Sequence, residues 1–145
     1  MTTQPAYGNE AIDFDRFTRV EKSKYVYTIE EVPLVNLTPE SRTHFIASDR
    51  ALLSFINNPP GATFPLHHHE AEQILIILEG SEEHVCGDEH FLMQAGDVCI
   101  HPSNVPHGGR TTTGFRGIDI FLPPREDYLE LMRKHGLPVG NRSSL

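Results

Sequence analysis

Nine histidines stand among the 145 residues, and His67, His68 and His69 are consecutive. In an extended segment alternate side chains face opposite sides, so His67 and His69 share a face about 7 Å apart while His68 points away. Two neutral imidazoles at that spacing can share one cation. Gln73 follows after a short turn, and His107 ends the loop Asn104-Val105-Pro106. Divalent sites on β scaffolds are assembled in this way, from two adjacent strands and a third segment. The other reading of the triplet is three exposed polar residues in a loop. Further on, Asp119 and Phe121 share a strand face, and Pro123-Pro124 stops the strand and swings Arg125 across its end. An Arg125–Asp119 pair that closes the structure is the alternative to a pocket role. His101, just before Pro102, is a candidate further metal-shell residue or general base, because imidazole titrates near working pH. His44 is a weaker candidate for the same role, and a hydrogen-bonded or surface histidine is the alternative for both. His84, His90 and His135 read as surface residues, and Cys86 and Cys99 as small buried hydrophobes.

Short β-type segments separated by turn chemistry must position these groups. Tyr25–Ile29, Val32–Leu37, Thr43–Ser48, Leu52–Ile56 and Thr63–His69 read as strands. So do Gln73–Leu78, Glu82–Cys86, His90–Met93, Val98–His101 and Gly117–Phe121, with Glu79-Gly80 as a turn between the first two. Strands at this spacing predict an all-β sandwich or barrel. Only the tail departs: Glu126–His135 carries Tyr128, Leu129, Leu131 and Met132 on one side, then meets Gly136 and Pro138, which predicts a short helix. Residues 1–24 read as an N-terminal arm and 25–145 as one domain. Within Gln73–Leu78 both faces are apolar after Gln73, so one face should line the interior and the other meet a second sheet or subunit. A homodimer is the simpler expectation.

The net charge of −8 argues against nucleic acid and anionic membranes as partners. Two cysteines make no disulfide framework. The N-terminal residues lack the basic and apolar regions of a signal peptide. The longest apolar run, Ile74–Leu78, falls far short of the roughly 20 residues of a membrane helix. The expectation is a cytoplasmic, single-domain protein with a small-molecule substrate.

Gly61, His67, His69, Gln73 and Gly80 are spaced as in the first cupin motif, which this stretch resembles, with Gln73 where a Glu usually stands. Gly96, Pro102, Asn104 and His107 resemble the second motif, with Asn104 in place of its usual Gly. The resemblance implies a cupin β-barrel, or double-stranded β-helix, with one divalent metal held by His67, His69, Gln73 and His107. Three imidazoles and an amide oxygen form a neutral ligand set, which leaves the ion a strong Lewis acid and removes the carboxylate common in oxygen-activating iron sites. Zinc is the expected ion, with manganese, nickel or iron also able to bind such ligands. The other reading leaves Gln73 unligated, with Glu72 or water completing the sphere.

The segment from Asp119 to Asp127, ending Pro-Pro-Arg-Glu-Asp, is similar to the tail of cupins that open the ring of unsaturated uronates. In that group the residues matching Asp119, Phe121 and Arg125 line the pocket. The chain as a whole resembles the cupin-type cyclases of bacterial aromatic polyketide biosynthesis, the resistomycin type. That resemblance implies aldol-type ring closure and dehydration of an aromatic polyketide precursor through a metal-stabilised enolate, with His101 or Asp119 as base. Phe55, Phe64, Leu75, Ile77 and Phe121 would then line the cavity. Ring opening of a uronate, with Arg125 on the sugar carboxylate, and a non-catalytic ligand-binding role are the alternatives.

Overall fold

The computed structural model describes residues 8–19 and 21–142. Its strands are β1 (Leu34–Asn36), β2 (Arg42–Ala47), β3 (Leu52–Asn58), β4 (Thr63–His67), β5 (Glu72–Cys86), β6 (Glu89–Gln94), β7 (Val98–His101), β8 (His107–Arg110) and β9 (Phe115–Leu122), followed by helix α1 (Glu126–Lys134). Neighbouring strands run in the order β1-β2-β3-β9-β5-β8-β4, and β6 and β7 also pair with β5. Every pairing is antiparallel. The sheet curls around an interior whose walls are the inward positions of these strands. No helix among the described residues is long and apolar enough to cross a membrane.

β5 organises the molecule. The sequence predicts two strands with a turn at Glu79-Gly80, but the chain continues as one strand of 15 residues. Its first half pairs with β7 and β9, its second with β6 and β8. The register slips between Ile77 and Glu79, and Gly80 has φ +79°, a conformation glycine adopts without a Cβ penalty. A Cβ at Gly80 would stand 2.0 Å from the Gly114 carbonyl oxygen. The bulge bends the strand instead of reversing it, and it switches parity. Before it the odd residues Gln73, Leu75 and Ile77 are buried; after it the even residues Glu82 and His84 are.

The other departures have similar causes. Tyr25–Ile29 forms no strand: Ile29–Glu31 is a 3-10 turn and Tyr25 is 80% exposed. Its β-forming residues stay outside the sheet although β1, at the end of the strand order, pairs with β2 on one side only. In the arm, Phe14–Arg16 is a 3-10 turn, and Ile12, Phe14 and Phe17 remain exposed. His107–Arg110 is a strand, not the end of a loop. Its Gly108 and Gly109 let the backbones of β4 and β5 approach, since a Cβ on Gly109 would meet the Glu83 carbonyl oxygen at 2.3 Å.

α1 closes one end of the interior. Glu126 and Asp127 in its first turn and Arg133 and Lys134 in its last complement the helix dipole. Met132 and Leu129 pack with Val35, Phe45, Leu52 and Phe121. The outer face of the front sheet carries two apolar rows. Ile100, Ile74, Ile120, Leu53 and Ile46 lie side by side across five strands, and Val98, Ile76, Ile118 and Phe55 form the second row, which ends at His44. Ile100 and Val98 are 59% and 57% exposed. Phe55 and His44 therefore face outward, and neither lines the interior.

Candidate metal centre

His67 ends β4, His69 lies two residues beyond it, Gln73 is the second residue of β5 and His107 begins β8. His67 and His107 are cross-strand partners. The loop leading to His107 is fastened by the Asn104 N–H, which donates to the His69 carbonyl at 2.8 Å. Asn104 has φ +61°, a left-handed conformation that Asn tolerates better than most residues; this accounts for an Asn at a position where the cupin motif has Gly. The nearest ligand-class atoms of His67, His69 and His107 all lie within 4.8 Å of one another.

Hydrogen bonding decides what these rings present. Nδ1 of His67 lies 2.8 Å from the Pro65 carbonyl, Nδ1 of His69 2.8 Å from that of Ala71, and Nδ1 of His107 2.9 Å from that of Val105. A carbonyl only accepts, so each Nδ1 carries the proton and each Nε2 offers a lone pair. Gln73 Oε1 lies 3.0 Å from Nε2 of both His69 and His107. The Gln73 amide group donates to Asp119 Oδ1 at 2.7 Å, which turns its oxygen toward the histidines. Four acceptors thus converge with no proton between them, an arrangement that is repulsive until a cation fills it. Burial pushes the His107 imidazole down to about 3 and lowers His69 as well, so both are neutral ligands at physiological pH. The donor set of three imidazoles and one oxygen suits zinc, and the anchored rings match the supporting hydrogen bonds usual around metal-bound histidine.

Asp119 is fully enclosed, and burial raises its carboxyl to about 7, a shift the Gln73 hydrogen bond only partly offsets. Arg125 caps α1 with its guanidinium 3.9 Å from the centre of the Tyr128 ring and 5.4 Å from that of Phe121. Its Nε and Nη2 bind Asp127 at 3.1 and 2.7 Å, not Asp119, so Nη1 remains for a further partner. A cavity of about 80 Å³ is lined by His67, Gln73, His107, Asp119, Phe121 and Arg125, with Phe64, Leu75, Phe115 and Asn58 among its remaining walls. Among the described residues, Asn58 Nδ2 is the buried side-chain polar atom with no hydrogen-bond partner.

His101 is wholly buried with both ring nitrogens engaged. Nδ1 donates to the Gln73 carbonyl at 2.9 Å, and Nε2 faces His84 Nε2 at 2.7 Å. Burial lowers it to about 4. His84, expected on the surface, is 5% exposed and pairs with the buried Glu82. The signal available for this second group was the alternation of His84 with Cys86 and of Cys99 with His101, hidden by the reading of β5 as two strands. His90 and His135 are exposed, as expected.

Residues 54–121 match the cupin domain family. A cupin of the RmlC-like type from Shewanella frigidimarina superimposes with TM-score 0.69 at 24% identity, over 75% of this chain and 99% of that one. The fold is that of a cupin. KdgF from a Halomonas species shares this cupin fold with TM-score 0.66 at 22% identity, over 70% of this chain and 97% of that one. The dimethylsulfoniopropionate lyase DddQ of Ruegeria pomeroyi is 38% identical over 66 residues, which are 45% of this chain and 33% of the lyase. The transcriptional activator RhaR of Pectobacterium carotovorum is 24% identical over 70 residues, 25% of its length. The matched cupin segment thus spans a third or less of these curated relatives.

Proposed function

We propose that this cupin is a zinc-dependent, non-redox enzyme that rearranges a small, oxygen-rich carboxylate, with unsaturated uronates as the substrate class. The observation that carries the reading is the convergence of four lone pairs beside a buried acid and a cavity-facing guanidinium. When bound, zinc supplies Lewis-acid polarisation of a substrate oxygen. The other roles belong to the chain. Arg125, gripped by Asp127 and stacked on Tyr128, receives the substrate carboxylate through its remaining nitrogen. Asp119, raised to about 7, holds or releases a proton near neutral pH, as a general acid–base group requires. Gln73 orients Asp119 on one side and faces the histidines on the other. Asn58 Nδ2 offers a donor to a substrate oxygen. His101, with both nitrogens occupied, is the weaker of the two bases weighed.

The aromatic walls formed by Phe64, Phe115 and Phe121 favour a second reading, ring closure of an aromatic polyketide precursor at the same centre. Its chain-like substrate is larger than a monosaccharide, and the cavity is small, about 80 Å³, so the smaller carboxylate is preferred.

A homodimer is part of the proposal. The two outward apolar rows on β2, β3, β9, β5 and β7 support burial against a second copy, because exposed patches of this kind mark interaction surfaces.

The test is turnover of unsaturated galacturonate by protein stripped with chelator and reloaded with zinc. Turnover that returns with the metal, and is lost in Arg125→Ala while zinc is retained, is the expected result. No turnover by the reloaded wild type rejects the uronate reading.

A further inference from the structure

The interior holds a second set of ligand-class side chains that the reaction above does not use. His84 and Cys86 alternate on the far half of β5, and Cys99 and His101 alternate on β7. The bulge at Ile77–Glu79 turns His84 inward, so the two pairs meet across the interior. One ligand atom from each of His84, Cys99 and His101 lies within 4.8 Å of the other two, and all three residues are buried. Cys86, half-buried, packs against the cluster that holds Cys99.

The proton count is informative here as well. His101 Nδ1 donates to the Gln73 carbonyl, and His84 Nδ1 pairs with the buried carboxylate of Glu82. With both Nδ1 atoms committed, two Nε2 lone pairs face each other at 2.7 Å. Either a shared proton or a metal ion satisfies that approach. A carboxylate behind one ring and a backbone carbonyl behind the other are the supports that metal-bound histidines ordinarily have. Two nitrogens and one sulfur form a soft donor set of the kind zinc takes.

We propose that His84, Cys99 and His101 form a second, buried metal site that takes a soft divalent cation such as zinc. Two imidazole nitrogens on tetrahedral zinc stand about 3.4 Å apart, so the rings separate by less than an ångström on loading. The Cys99 thiol proton leaves to solvent as the ion enters. Gln73 joins the two centres, with its side-chain oxygen at the first and its main-chain carbonyl on His101 at the second. The role of the second ion is to hold the two halves of β5 and β7 together, and it is independent of which substrate the first centre serves.

Cobalt(II) tests this, because thiolate ligation gives a near-ultraviolet charge-transfer band that a centre of nitrogen and oxygen ligands lacks. Metal-free full-length protein is titrated anaerobically with cobalt while metal content and absorption are followed. The expected result is two equivalents per chain, one of them carrying the thiolate band. Cys99→Ser abolishes the band and keeps the other equivalent; His67→Ala keeps the band and loses the other equivalent. Glu82→Gln weakens the banded equivalent by about tenfold or more. His84→Gln repeats the measurement should Cys99→Ser lose its fold by circular dichroism. A single equivalent without the band in folded wild type overturns the proposal and leaves a shared proton between His84 and His101. Loss of uronate turnover with the band intact counts only against the catalytic reading.

Discussion

The two halves of β5 present ligand-class side chains to the same interior, yet the clusters they join differ in exposure. The first half brings Gln73 to His67, His69 and His107 beside a cavity that Arg125 and Phe121 also line. The second half brings Glu82 and His84, which line that same cavity, to Cys99 and His101; all four are buried, whereas His67 of the first cluster is exposed. Ligand chemistry alone therefore does not separate a reactive centre from a structural one; access does, because a catalytic metal needs an open position. The halves differ on the outside too. Ile74 and Ile76 place the first half in apolar rows, whereas Glu83 on the second faces solvent and pairs with Arg110.

Removing a ligand from the open half is the strongest test of this contrast. His107→Ala is expected to reduce zinc affinity and uronate turnover by more than about a hundredfold, beyond the usual cost of losing a supporting residue. Competition with a chromophoric chelator measures the first quantity. An unchanged affinity would mean that the open cluster is not the metal centre. Asp119→Asn keeps the shape of the side chain and its contact with Gln73 while removing the base. It should lower kcat by about 10²–10⁴-fold with metal content unchanged; a loss of metal instead would make Asp119 a positioning residue.

Acid should strain both halves together. His107 and His101 titrate at about 3 and 4 when folded, against about 6.5 unfolded. The unfolded chain binds these protons first, so stability present above pH 6.5 is lost as pH falls. Asp119, raised to about 7, acts in the opposite sense and gains stability over the same window. Two groups against one leave a net loss of roughly 3 kcal/mol between pH 6.5 and 4 for the metal-free protein. Urea unfolding across that range measures it, and a rise in stability on acidification would refute the proton inventory of both clusters. The smallest effect on chemistry is expected from Leu53→Lys, in the same apolar row and flanked by no proposed ligand, which should shift a dimer toward monomer in sedimentation while zinc binding and turnover stay within about twofold of wild type.

Much of the open half is legible in the sequence. His67 and His69 alternate, Gln73 and His107 recur at the cupin spacing, and Val98–His101 and the C-terminal helix form where the pattern puts them. The buried half is not, because a side chain's face is counted from a strand's phase and a bulge resets that phase. One misplaced turn at Glu79-Gly80 sent His84 to the surface and hid Glu82. Phe55 is expected in the cavity from its place along the chain, but its partner Ile118 belongs to the outer row. Tyr25–Ile29 has strand propensity but joins no strand, and its last residue begins a 3-10 turn.

Gly80 is solvent-exposed, yet its Cα sits against the Gly114 carbonyl with no room for another carbon. Positions that look free to vary are usually recognised by their exposure, and here that shortcut misleads. A saturation library of this chain should lose nearly every Gly80 substitution, alanine included, while accepting changes at the equally exposed Glu79 beside it. Tolerance in this protein is governed by how closely two backbones approach, and the most restrictive approach lies on its surface.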